Sequence, residues 1–152
     1  MSLSELVSPN RVVLGLEVSS KKRLLERMGE LLHEDQPELD VHTAFQSLFE
    51  RERLGSTGIG RGVALPHGRM AGLTQAVGAF AVLHQPLDFE SVDQQPVQMV
   101  FALLVPEEAN ETHLQILSQL ARLFDRQDLR EQLLRAQNRE QLYETLTQPT
   151  QD

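Results

Sequence analysis

The sequence predicts a three-layer α/β sandwich: a mixed β-sheet flanked by helices on both faces. Three observations carry that expectation. Two apolar runs, AVGAFAVLH (76–84) and VQMVFALLV (97–105), are nearly continuous, as in strands covered on both faces. Amphipathic helical segments stand both before and after them. The chain has 152 residues, enough for one domain with a proper core. It is read as a single domain over 1–152, with a polar tail, TQPTQD, frayed from about residue 148.

The elements follow in order. RVVLGLEV (11–18) is rich in branched residues and reads as a strand. Ser19 and Ser20 can cap the next segment, KKRLLERMGELLHE, whose Leu24, Leu25, Met28, Leu31 and Leu32 recur at helical spacing. Pro37 ends that run, and Asp40 caps a second helix, VHTAFQSLFERERL, with Val41, Ala44, Phe45, Leu48 and Phe49 on one face. After a glycine-rich loop, GVALP is a short strand. QPLDFESVDQQP (85–96) is a turn-rich connection between the two long strands. Asn110 caps THLQILSQLARLF, and two shorter helices finish the chain, the last with a capping box of Asn138 and Gln141.

Composition narrows the function. The formal net charge is −8, which argues against nucleic acid and against an anionic membrane surface, since both need a basic face. No cysteine is present, so disulfides, thiolate zinc sites and cysteine nucleophiles are excluded. The N-terminus has no secretory pattern, and no apolar run approaches the roughly 20 residues of a membrane helix. The expected location is the cytoplasm, with no membrane insertion.

The chemistry is concentrated in GSTGIGRGVALPHGR (55–69). Gly55 and Gly60 have Walker A spacing, but Arg61 and Gly62 stand where Lys and Ser/Thr are required, and a helix precedes where a strand should. The glycines do not fit a Rossmann fingerprint either. A plain glycine connector is one reading. The other is an anion cradle, because glycines let backbone N–H groups approach an anion and Ser56 and Thr57 add hydroxyl donors. Arg51 and Arg53 end the preceding helix and can reach the same space, or can simply complement the helix dipole. Pro66 stiffens the chain so that His67 sits at a rigid strand exit. A neutral imidazole can attack phosphorus and store the group as a phosphoramidate. His113 falls in the first turn of the helix capped by Asn110, and converges on His67 if the two strands exit on the same side. His33 and His42 are expected to be exposed; His84 ends a strand, near the site or at a surface turn.

The stretch RERLGSTGIGRGVALPHGR closely resembles the phosphorylation-site signature of the enzyme IIA proteins of the fructose–mannitol class in the phosphoenolpyruvate:sugar phosphotransferase system. FALLVP followed by THL resembles the second histidine segment of that class. The resemblance runs from the first strand to the last helix and is greatest to the nitrogen-regulatory branch. It implies the same flanked mixed sheet. It implies that His67 accepts a phosphoryl group, as a tele-phosphohistidine, from a phosphorylated HPr-like carrier fed by a phosphoenolpyruvate-dependent enzyme I. It implies that His113 and Arg51 hold the phosphate, with Ser56 and Thr57 in the family's loop. No metal, nucleotide or organic cofactor is implied. The implied output is control of partner proteins, including potassium transport and nitrogen-related regulators. Three alternatives stand beside it: a sugar-specific enzyme IIA that passes phosphoryl to an enzyme IIB, a metal-dependent hydrolase built on His67, His113 and His84 with a carboxylate, and an interaction module that never carries phosphate.

Overall fold

The computed structural model describes residues 2–109 and 111–148. Two 3-10 turns, Leu3–Glu5 and Pro9–Arg11, lead into strand β1 (Val12–Leu16). Helices α1 (Lys21–His33) and α2 (Val41–Leu54) follow. Then come β2 (Gly58–Gly60), β3 (Val63–Ala64), β4 (His67–Met70), β5 (Val77–Leu87) and β6 (Val97–Pro106). Helices α3 (Glu111–Phe124), α4 (Gln127–Arg135) and α5 (Arg139–Thr147) close the chain. The sheet is mixed and ordered β1-β5-β6-β3-β2, with β4 also on β6. β5 and β6 are antiparallel, while β1 on β5 and β3 and β4 on β6 are parallel.

Side-chain alternation sends successive residues of β5 and β6 to opposite faces. Ala79, Ala81, Ala102 and Leu104 join Leu24, Leu25, Met28, Ala44 and Leu48 of α1 and α2. Phe80, Val82, Phe101 and Leu103 join Ile116, Leu120, Phe124, Leu133 and Leu142 of α3 to α5. The expected flanked sheet is therefore present, and the continuous apolar runs are continuous because each face has its own core. The caps follow the sequence reading where they can be seen. Ser20 accepts from the Arg23 N–H, Asp40 from the Thr43 N–H and Asn138 from the Gln141 N–H. The Gln141 amide oxygen accepts from the Gln137 N–H, one residue before the cap. Asn110 lies outside the described residues.

Four local expectations need correction. The first strand is shorter than read: the Arg11 backbone belongs to the 3-10 turn, its N–H donating to the Ser8 carbonyl while its buried guanidinium donates to the Gly78, Glu34 and Leu6 carbonyls, and the strand ends at Leu16. β5 runs on through Leu87, which pairs with Val97, so the connection starts later. Part of the glycine loop is strand β2, antiparallel to β3. His33 is half-buried, with Nδ1 2.6 Å from the Leu39 carbonyl, because the chain folds back over the end of α1; His42 and His84 are exposed.

Candidate functional site

His67 does not stand at a strand exit. It opens β4, after a two-residue interruption that follows β3. Val63 pairs with Met99, Ala64 with Val100, and then His67 with Leu103 and Gly68 with Leu104, so β3 and β4 share one lane beside β6 in unbroken register. Pro66 has no N–H to give to a ladder, but its carbonyl accepts from the Leu103 N–H at 2.9 Å. The interruption turns the Leu65 carbonyl toward the imidazole, and His67 Nδ1 lies 2.8 Å from it. A carbonyl can only accept, so Nδ1 carries the proton and Nε2 keeps its lone pair.

Because β4 and β6 run parallel, both lead toward the same end of the sheet, and α3 starts shortly after β6. The rings of His67 and His113 meet there, edge to face, with centroids 5.4 Å apart. His113 is buried, and neither of its ring nitrogens has a hydrogen-bond partner among the described residues. Burial lowers the pKa of both histidines. The Arg51 charge lowers that of His67 further, against the Leu65 hydrogen bond and the Glu52 charge, which raise it. For His113 the charges of His67 and Arg69 add to burial. Both imidazoles are thus held toward the neutral form, the form that can act as a nucleophile.

Arg51 lies in the last turn of α2, and its Nη1 donates to the Gly55 carbonyl at 2.9 Å. That bond uses one donor of a guanidinium that has five. The two loop hydroxyls are already engaged: Ser56 donates to the Phe89 carbonyl at 2.7 Å, and Thr57 donates to the Glu52 carboxylate. In this state neither offers its hydroxyl proton to a ligand. Leu65 N–H donates to the Thr57 carbonyl at 2.9 Å, which ties the loop to the strand that carries His67.

Two residues of the site escaped the sequence reading. Glu52 has a side chain only 4% exposed, paired with Lys21 at 2.7 Å. The signal was available: Glu52 stands four residues after Leu48 on the apolar stripe of α2, a place where a carboxylate needs a partner. Gly68 was passed over as part of a motif. A Cβ at Gly68 would lie 2.2 Å from Ser47 Oγ and 3.0 Å from the Ser47 carbonyl, so α2 rests directly on the backbone beside His67. The Ser47 hydroxyl donates to the Arg69 carbonyl at 2.8 Å across that contact. His84 is exposed on β5, and among the described residues no three His, Asp or Glu side chains are grouped so as to hold a metal ion.

Residues 5–148 match the model of the phosphoenolpyruvate-dependent sugar phosphotransferase system EIIA 2 family. The chain belongs to this family. Among the members of this family that it resembles are nitrogen regulatory proteins. It is 42% identical over 142 residues to the nitrogen regulatory protein of Pseudomonas aeruginosa, covering 93% of this chain and 92% of that one. It superposes on the crystal structure of nitrogen regulatory protein IIA-Ntr from Neisseria meningitidis with a TM-score of 0.89 and 45% identity, over 95% of this chain and 99% of that one. Against IIA mannitol from Escherichia coli the TM-score is 0.76 at 20% identity, over 92% of this chain and 98% of that one, which shows a shared fold. As an EIIA-type protein the chain is a phosphotransferase-system component. No helix among the described residues is long and apolar enough to cross a membrane.

Proposed function

We propose that His67 accepts a phosphoryl group from a phosphorylated HPr-like carrier, and that the phosphorylation state controls partner proteins. The observation that carries this reading is the bond from His67 Nδ1 to the Leu65 carbonyl, which leaves Nε2 as the bare nitrogen beside His113. The Nε2 lone pair attacks phosphorus, a new N–P bond forms, and the donor's N–P bond breaks with its electron pair returning to the donor imidazole. The product is a tele-phosphohistidine, and no metal, nucleotide or other cofactor takes part. The transferring group carries its charge on three equatorial oxygens, so catalysis is mainly positioning and electrostatics. Arg51 supplies positive charge from the α2 end, and His113 supplies a ring N–H from the α3 end. Ser56 and Thr57 shape the loop between these ends, and their hydroxyls contribute to phosphate holding only on leaving their present acceptors.

The output is electrostatic. Phosphohistidine adds about one and a half to two negative charges to a chain already at −8. A partner with an acidic face over His67 is repelled, and one presenting arginines gains a ligand. We place the targets among nitrogen-related regulators or potassium transport, as the resemblance to the nitrogen-regulatory branch implies, and the site of action in the cytoplasm.

The test is intact mass after mixing the chain with phosphoenolpyruvate, enzyme I and the HPr-like carrier at mildly alkaline pH. One added phosphoryl group is expected, and none on His67→Ala. No gain with any competent donor, or an equal gain on the variant, overturns the reading.

A further inference from the structure

Glu52 is a buried carboxylate that the phosphoryl chemistry above does not use. Its oxygens accept from the Thr57 N–H at 3.2 and 3.1 Å and from the Thr57 hydroxyl, and Oε2 faces Lys21 Nζ at 2.7 Å. The Thr57 carbonyl in turn accepts from the Leu65 N–H at 2.9 Å. The Leu65 carbonyl accepts from His67 Nδ1 at 2.8 Å. A chain of hydrogen bonds thus leads from the carboxylate, through the backbones of Thr57 and Leu65, to the ring that would carry the phosphoryl group.

We infer that Glu52 is a positioning residue for His67, acting through Thr57 and the Leu65 peptide to fix the tautomer and aim of the imidazole. The inference rests on reading His67 as the phosphoryl acceptor, but its own test does not. Three features separate this role from that of a simple counter-ion for Lys21. First, Lys21 has other company: Glu90 at 3.4 Å and the Phe89 ring at 4.5 Å. Second, Lys21 is the first residue of α1, the end of a helix that disfavours a cation. Its presence there follows from the carboxylate it meets, not from α1. Third, the Thr57 N–H and hydroxyl are buried, and Glu52 is the acceptor they share. A neutral histidine side chain free in water prefers its proton on Nε2. The contact with the Leu65 carbonyl calls for the opposite tautomer, and the Glu52–Thr57 anchor holds that carbonyl from the loop side as the Pro66 bond to Leu103 holds it from the sheet side. A carboxylate suits the task because it accepts several bonds at once, and charge-assisted bonds are the stronger ones.

The experiment is two-bond ¹H–¹⁵N NMR of the His67 ring nitrogens at mildly alkaline pH, with amide spectra reporting folding. The wild type is expected to show one tautomer, protonated on Nδ1. Glu52→Met, which has no acceptor, is expected to show a mixture. Glu52→Gln retains an acceptor oxygen and is expected to keep mainly the wild-type tautomer. The pair Lys21→Met with Glu52→Met removes both charges, and the mixture is expected to persist. Single-turnover phosphoryl acceptance by Glu52→Met should fall about tenfold or more, as misaimed reacting groups generally cost. A folded Glu52→Met protein with the wild-type tautomer, or its restoration in the double variant, overturns the inference. If Glu52→Met does not fold, Glu52→Asp decides, because the shorter side chain keeps a charge for Lys21 but withdraws the acceptor from both the Thr57 N–H and the Thr57 hydroxyl. A mixed tautomer there supports the role, and the wild-type tautomer refutes it. Failure of the phosphoryl reading itself would appear in the mass assay and would leave the tautomer result unchanged.

Discussion

The two faces of the sheet are filled differently. Toward α1 and α2 the central strands present Ala79, Ala81 and Ala102, with Ala64 and Gly68 in the neighbouring lane. Toward α3, α4 and α5 they present Phe80 and Phe101, which cluster with Phe124; the Phe80 and Phe124 rings stack 5.7 Å apart. Small side chains let a helix backbone come close to a strand, and large ones fill the gap beneath a helix held further off. The consequence is functional. On the small-residue face α2 sits against the backbone of β4, and its last turn delivers Arg51 and Glu52 to the loop before His67. On the aromatic face α3 meets His67 through a side chain, the His113 ring. The candidate site lies where these two kinds of packing meet, on the interrupted lane of β3 and β4.

The comparison can be broken most forcefully on the aromatic face. Phe101→Ala empties a fully buried site that touches both other rings. Equilibrium urea unfolding should show a loss of about 3–5 kcal/mol. A smaller, sharper test is Gly68→Ala on the other face. The new methyl meets the Ser47 carbonyl and hydroxyl, so α2 must shift. We expect about 1–3 kcal/mol of destabilisation, the usual cost of overpacking. Ser47→Ala in the same chain should recover part of it by removing the nearest atom. If Gly68→Ala were neutral while Phe101→Ala was costly, the close approach of α2 would not be a constraint.

The smallest effect expected is in pH dependence, and it concerns the junction. Both site histidines have pKa values below the ordinary 6.5, chiefly because burial disfavours the charged ring. Their unfolded forms therefore bind a proton more readily than their folded forms. Stability should be fully present above pH 6.5 and fall as the pH drops below it, levelling off only below the lowered folded values. A His67→Asn, His113→Asn chain should show a shallower decline in urea midpoint across that window. An unchanged slope would mean that neither ring resists protonation in the folded protein.

Much of this architecture was legible beforehand, for local reasons. Ser20, Asp40 and Asn138 mark helix starts because a short polar side chain satisfies the open N–H groups of a first turn. The near-continuous apolar runs AVGAFAVLH and VQMVFALLV read as strands with two covered faces. His67 and Arg51 were visible because rigid, donor-rich surroundings were written around them in sequence. Other features were misread, because a strand boundary depends on its neighbour. Leu87 is strand only because Val97 lies beside it, and the Arg11 guanidinium is satisfied in its buried place because the distant Gly78 and Glu34 carbonyls join the nearby Leu6 carbonyl around it.

The sequence by itself determined the identity and order of the helices and long strands, the flanked sheet they imply, and the glycine loop that borders the candidate site. These rest on periodicity, capping and turn stereochemistry, which act over a few residues. Tertiary structure alone decided which nitrogen of His67 is bare, that His113 faces it, that Glu52 pairs with Lys21 beneath the loop, and that Gly68 must have no side chain. Each of these depends on contacts between segments far apart in the chain, made when parallel strands bring their ends together and a helix settles on a strand. Burial then sets the protonation of the groups enclosed there.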